Sequence, residues 1–203
     1  MSRPPGKWGL LGAILAAGLL ADQATKFLAV DRLTWAFQHA GAVSLVQKVQ
    51  AFYTLEKLEG LAREPLVVFR AWWRMTYVEN PNAAFSLGSF LPPGPRHLVF
   101  VAFAVAAVAA ILWLYRRLEA GQRFQQVTLA LVLAGAAGNV VDRLVRHYVI
   151  DFVEWHWWNR PDKAWPTFNV ADSMLSVGIV LLLLSPEGRA RRKAGDEAGP
   201  AGG

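Results

Sequence analysis

Four apolar stretches constrain this chain more than any other feature: Trp8–Val30, Leu98–Tyr115, Phe124–Val141 and Val170–Ser185. The first is interrupted only by Asp22, Gln23 and Lys26. A helix that crosses a bilayer needs roughly 17–25 mostly apolar residues, and all four runs fall near that range. The last is the shortest, so its start is expected a little earlier, near Phe168. A chain of 203 residues that is 54% hydrophobic is too apolar for an ordinary soluble domain and too short for several. The expected fold is an all-α membrane protein with four transmembrane helices, at about 8–30, 97–115, 124–143 and 168–185. Residues 1–186 form a single membrane-embedded domain on this reading, and 187–203 form a disordered tail on the cytoplasmic side.

Net charge is +6, but its placement argues against nucleic acid. Basic residues flank the apolar runs in three groups: Arg3 and Lys7; Arg116, Arg117 and Arg123; Arg189, Arg191, Arg192 and Lys193. A four-span topology puts all three on one side, which is the positive-inside pattern. These patches lack the interleaved aromatics that single-strand binders stack on. Cysteine is absent, which excludes a disulfide framework and a thiolate nucleophile. His39, His97, His147 and His156 form no ligand pair, so neither a metal nor a cofactor is expected. Arg3 and Lys7 followed by an apolar run imitate a cleavable signal. The pattern resumes after Asp22 through Phe27–Val30, which favours a retained first helix.

With both termini in the cytoplasm, the polar residues of the spans gather at the opposite face. Asp22 and Lys26 lie toward the outer end of the first helix, and Asn139, Asp142 and Arg143 at the outer end of the third. Asn169 and Asp172 lie at the outer start of the fourth, with Asp151 in the loop at 144–167. Ionisable groups in such places are costly and by default mark a site. In the first outer segment, 31–96, Val43–Leu58 has the period of an amphipathic helix lying on the membrane or packing on its own loop. Leu66–Glu79 reads as one or two short strands, Asn80-Pro81-Asn82 as a turn, and Pro92–Pro95 as a stop before the second helix. Trp72, Trp73, Trp155, Trp157, Trp158 and Trp165 either anchor the outer surface at the interface or shape a groove for a lipidic ligand. Gly135–Gly138 reads as ordinary close helix packing.

Two carboxyls at a low-dielectric boundary cannot both ionise easily. One then holds a proton and the other a charge, which supplies an acid and a base for amide hydrolysis. Asp151 and Asp172 are the best candidates; Asp142 is the rival, though the adjacent Arg143 offers it a structural role. Ser86 or Ser173 with Lys26 as base is a further arrangement, although Lys26 can equally snorkel to the surface. A proton-coupled transporter or channel subunit, or a noncatalytic scaffold, are the alternatives from other classes. The inner halves of the spans read as lacking the polar residues that a transport path needs.

Five segments, in order along the chain, resemble the lipoprotein signal peptidase (signal peptidase II) family. They are Asp22-Gln-Ala-Thr-Lys26, Asn80-Pro-Asn-Ala-Ala-Phe85-Ser86, Gly138-Asn139-Val-Val-Asp142-Arg143, Val149-Ile-Asp151-Phe152 and Phe168-Asn169-Val-Ala171-Asp172. The resemblance implies an aspartic endopeptidase of the bacterial inner membrane, with a small periplasmic β-cradle and a surface helix. It implies Asp151 and Asp172 as the catalytic pair. Asn80, Asn139, Arg143 and Asn169 would orient the site and bind substrate, while Asp22 and Asp142 would support it. The implied substrate is a prolipoprotein carrying diacylglycerol on its lipobox cysteine, cleaved just before that cysteine. The expected partners are that substrate and membrane lipids, with the enzyme a monomer. Two departures stand out: Asn82 replaces the family's usual glycine, and the segment between the first helix and the strands is long.

Overall fold

The computed structural model describes residues 6–70, 72–81, 93–158 and 160–185. Expectations at Arg3, Asn82, Ala83–Gly88 with Ser86, and the basic tail after Pro186 lie outside the described residues.

Helix α1 (Lys7–Leu33) is followed by the short α2 (Ala36–His39) and by α3 (Leu45–Thr54). Strands β1 (Leu66–Phe69) and β2 (Trp73–Asn80) precede the long helices α4 (Pro93–Arg117) and α5 (Arg123–Arg146). Strands β3 (Val149–Trp157) and β4 (Arg160–Ala164) then lead into α6 (Val170–Leu184). Among the described residues α1 and α5 are long and apolar enough to cross a membrane, and α6 is apolar but shorter. Helix α4 carries no charged residue from Leu98 to Tyr115.

Two boundaries differ from expectation for local reasons. Helix α4 begins at Pro93 instead of after the proline cluster, because proline at the first helical positions forfeits only an N–H that had no helical partner anyway. Helix α6 begins at Val170 instead of 168. Phe168 is held extended by pairing with Val153, and Asn169 caps the helix, its side chain accepting from the Asp172 N–H. The all-α label proves too narrow. The segments between α3 and α4 and between α5 and α6 form a four-stranded antiparallel sheet in the order β1-β2-β3-β4, in the place of the β-cradle that the family resemblance implies. Val149–Trp157, expected as loop, is its longest strand.

Helix α5 is the hub, packing on α1, α4 and α6. Close approach to α6 is set by small residues: a Cβ on Gly178 would lie 2.5 Å from Val132 Cγ2, and one on Gly135 would collide with the Ala171 carbonyl. Two apolar cores result. Tyr115, Leu129, Ala130 and Leu133 pack with Leu11 at one end. There the Tyr115 hydroxyl donates to the Lys7 carbonyl. Lys7 Nζ in turn closes the end of α4 on the carbonyls of Arg116 and Leu118, at 2.9 and 2.7 Å. Val30, Leu33, Phe37, Phe52, Tyr77 and Ile150 build the other core, between α1, α3 and the sheet.

Of the two roles expected for α3, packing on the protein is the one its buried residues Ala51 and Phe52 display. A capping box between Ser44 and Gln47 starts it. Phe52 is buried in the core beside the sheet, while Val43, Leu45, Val46 and Val49 remain exposed.

Candidate active site

Helical spacing puts Asn139, Asp142, Arg143 and Arg146 on one side of α5, and Asp22 and Lys26 one turn apart on α1. Where these faces meet, four charges are buried together. Lys26 Nζ lies 2.8 Å from Asp22 Oδ2 and 2.8 Å from Asp142 Oδ2. Arg146 holds the other oxygen of Asp142 at 3.0 Å. Asp22 and Asp142 against Lys26 and Arg146 sum to zero, which is the condition for keeping such groups out of water. Further hydrogen bonds hold these groups to the backbone. Asp22 Oδ1 accepts from the Ala171 N–H at 3.1 Å, Asp142 Oδ2 from the Ile150 N–H at 3.2 Å, and Arg146 donates to the Phe52 carbonyl at 2.8 Å. This layer therefore ties α1, α5, α6, β3 and α3 to one another.

The snorkelling expectation for Lys26 is thereby overturned: it is fully buried, because two carboxylates compensate it more completely than the surface could. The same contacts remove it as a base for Ser173, whose hydroxyl donates to the Asn169 carbonyl at 3.0 Å. Asp142 loses its place as rival for the same reason. It belongs to the buried layer, whereas Asp151 and Asp172 line the open cavity.

Asparagines carry the network outward. Asn139 Oδ1 accepts from Lys26 at 3.3 Å and from Asn169 at 3.2 Å, and Asn139 Nδ2 donates to Asp172 Oδ1 at 2.7 Å. Asn169 Nδ2 reaches Asp151 Oδ1 at 2.8 Å, and Asn80 Nδ2 reaches Asp151 Oδ2 at 2.9 Å. Asp172 Oδ2 accepts from the Asn169 N–H at 3.2 Å. Each carboxyl thus has both oxygens held by N–H donors. Asp151 is delivered by β3 and Asp172 by the first turn of α6.

Asp151 and Asp172 share the wall of one cavity of about 550 Å³ with Asn80, Asn139 and Arg143. Burial, then the Asp172 charge, push the Asp151 carboxyl up to about 7; the amide donors of Asn80 and Asn169 and the Lys26 charge oppose them. A carboxyl in that range is half-protonated near neutrality. Among the described residues no group of three or more His, Asp or Glu is placed to hold a metal.

All nine residues singled out from the sequence converge here, in two layers. Asp22, Lys26 and Asp142 form the inner, buried one; Asn80, Asn139, Arg143, Asp151 and Asp172 face the cavity; Asn169 is buried between them. Sequence reasoning missed Arg146, whose signal was its i,i+4 spacing from Asp142. It also undervalued Gly138. A Cβ there would stand 2.6 Å from Asp22 Oδ2, so this glycine makes room for the ion-pair layer and is not ordinary packing.

The chain is similar to known proteins along nearly its whole length. A family model described as signal peptidase (SPase) II matches residues 14–186. The lipoprotein signal peptidase of Anaeromyxobacter sp. (strain Fw109-5) is 50% identical, over 97% of this chain and 93% of its own. That of Geobacter metallireducens is 35% identical, over 92% of this chain and 96% of its own. A solved bacterial membrane enzyme shares the fold, with a TM-score of 0.62 at 21% identity, over 87% of this chain and 86% of that one. The matched region begins inside α1 and ends just past α6, so it takes in every residue of both polar layers, and the chain belongs to the signal peptidase II family.

Proposed function

We propose that this chain is an aspartic endopeptidase of the bacterial inner membrane that removes the signal peptide from diacylglyceryl-modified prolipoproteins, with Asp151 and Asp172 as its catalytic pair. The observation that carries the reading is the pair itself. Two carboxyls from separate elements share one cavity, and one of them is held near neutral pKa by burial and by the other's charge. The two titrate as a unit, with one proton between them at neutral pH. The ionised carboxyl takes a proton from a water molecule as it attacks the scissile carbonyl. The protonated one gives its proton to the substrate, and return of a proton to the leaving amide nitrogen completes cleavage. Asn80, Asn139 and Asn169 keep the carboxyls in register, and Arg143, in the same cavity, binds and orients the substrate backbone.

Four spans (α1, α4, α5 and α6) cross the bilayer in one membrane-embedded domain covering residues 1–186. Residues 187–203 form a cytoplasmic tail, and both termini are cytoplasmic. Helix α6 reaches the required length with its extended lead-in from Phe168. The sheet and α3 then lie on the periplasmic side, and the exposed apolar residues of α3 meet the lipid surface. A substrate anchored by its own diacylglycerol holds its scissile bond at the depth of the pair, so the membrane supplies much of the positioning. The enzyme works as a monomer and needs no cofactor. A proton-coupled transporter is not supported. Gln126 and Thr128, the buried polar residues on the inner half of α5, are satisfied by the carbonyls of Glu119 and Phe124. The test is expression with a lipid-modified prolipoprotein, following precursor mass. Wild type releases the signal peptide, whereas D151N or D172N retains the full precursor; processing by either variant removes that residue from the mechanism.

A further inference from the structure

The long segment between α1 and β1 is pinned to the body of the protein along its length. Arg146 of α5 donates to the Phe52 carbonyl of α3 at 2.8 Å and lies over the Phe52 ring, 4.1 Å from its centroid. Further on, the Trp35 N–H reaches the Leu61 carbonyl and the Arg63 N–H the Leu33 carbonyl, each at 2.8 Å, which ties the segment back to the end of α1. Between these anchors it meets Glu79 of β2. Glu79 Oε1 accepts from the N–H of Leu58 and, at 3.1 Å, from that of Glu59. Lys57, just before them, is left-handed with φ of 58°, and Leu58 is right-handed. That alternation aims successive N–H groups into one concavity, which suits a carboxylate.

Glu79 is also the chain neighbour of Asn80, whose Nδ2 donates to Asp151 Oδ2 at 2.9 Å. Side chains alternate across a strand, so the two point to opposite faces. Asn80 and Val78 share the face of Asp151, which pairs with Val78. Glu79 pairs with Ile150 and joins Tyr77 on the rear face. There the Tyr77 hydroxyl donates to Glu79 Oε1 at 3.4 Å and lies 3.5 Å from the hydroxyl of Tyr148, which leads into β3. Asn80 ends β2, and Pro81 after it has no N–H to extend the ladder. A strand end of this kind frays unless something holds it. The holder is the residue one position back, through a carboxylate seated on backbone that is fixed on either side.

Resting on the peptidase reading above, we propose that Glu79 is a positioning residue for the carboxyl pair: it locks the end of β2 to the segment after α3 and so holds the Asn80 amide against Asp151. The long segment thereby acquires a role, as the fixed seat of the strand that carries Asn80. Without the lock Asn80 withdraws. The Asp151 carboxyl then loses a donor that favours its charged form, and it keeps its proton to higher pH. The charges that act on it, Asp172 on α6 and Lys26 on α1, stay in place, as does Arg143 of α5 in the same cavity. Removing the Glu79 charge without moving Asn80 acts in the opposite direction, because losing a negative neighbour favours ionisation. The direction of the change therefore separates positioning from charge alone.

The test uses the full-length protein in detergent micelles and a synthetic diacylglyceryl-modified prolipoprotein peptide. KM and the pH profile of kcat are measured for wild type, E79Q, E79L, N80A and E79L/N80A. E79L is expected to lower kcat on the order of tenfold with KM unchanged, and to move the alkaline fall in kcat upward by about half a pH unit. E79Q keeps an acceptor oxygen and is expected to stay within about threefold of wild type. In the N80A background E79L is expected to cost less than about twofold, because its effect runs through the missing amide. The pH of the fall does not depend on how much of a variant is folded, so lost stability does not imitate it. Wild-type kcat and profile in E79L, a fall moved downward, or an E79L cost as large in N80A as in wild type overturns the proposal, while cleavage by wild type leaves the peptidase reading standing. Failure of wild type to cleave the peptide overturns both readings.

Discussion

Replacing Lys26 by methionine keeps the length of the side chain and removes one of the four buried charges. Asp22 and Asp142 then face Arg146 alone, and the layer carries a net charge of −1 at a place with no access to water. Breaking a buried ion pair from one side costs about 3–5 kcal/mol, because the remaining charge is left uncompensated. At roughly 2–4 °C per kcal/mol for a chain of this length, the thermal midpoint in detergent should fall by about 10 °C. The decisive measurement is the double variant K26M/D22N. The amide introduced by D22N restores neutrality, and its side-chain oxygen can still accept from the Ala171 N–H. The double variant should therefore recover more than half of the lost stability, measured as thermal midpoint at several scan rates. If D22N fails to rescue K26M, or if K26M melts with wild type, charge balance is not what holds this layer.

Other expectations follow from neighbouring contacts. G138A drives a methyl group toward the Asp22 carboxyl, 2.6 Å away, and should cost about 1–3 kcal/mol, read as a lower thermal midpoint. N169S keeps a hydroxyl to cap α6 but removes the amide that links Asp151, Asn139 and the Ile150 carbonyl. Stability should change by only about 1 kcal/mol while kcat falls on the order of a hundredfold; equal losses in both would make Asn169 a structural cap alone. On the proposed mechanism activity should decline as pH rises through about 7, where Asp151 would release the proton the pair requires. The sign follows from its raised pKa, since the protonated form persists up to that range. A kcat profile flat from pH 6 to 9 refutes the shared proton. R146M should destabilise like K26M, because it also strips a cation from Asp142.

Much of this molecule was legible as sequence because a bilayer leaves little choice. Long apolar runs with ionisable residues gathered toward one end announce helices and a site together, and the observed helices fall within four residues of the expected limits. The sheet was harder to see. Trp155, Trp157 and Trp158 read naturally as interfacial anchors, and the alternation around them is masked because both faces of β3 are largely apolar or buried. Pairing with β2, from Asn80↔Val149 to Trp73↔Trp155, comes from distant parts of the chain and leaves no local signal. Arg146 was overlooked because a basic residue beside His147 at a helix end looks solvent-bound. Its burial depends on the Phe52 carbonyl arriving from α3, ninety-four positions away in sequence.

On the proposed mechanism Asp172 would be both a working carboxyl and part of the clasp that starts its own helix, since its Oδ2 accepts from the Asn169 N–H. A proton settling on that oxygen would strip the clasp of its charge and weaken it, so the opening turn of α6 should loosen in step with turnover. The catalyst and the hinge that shapes it would then be one side chain, so chemistry at the cavity and breathing of the helix end share a single clock.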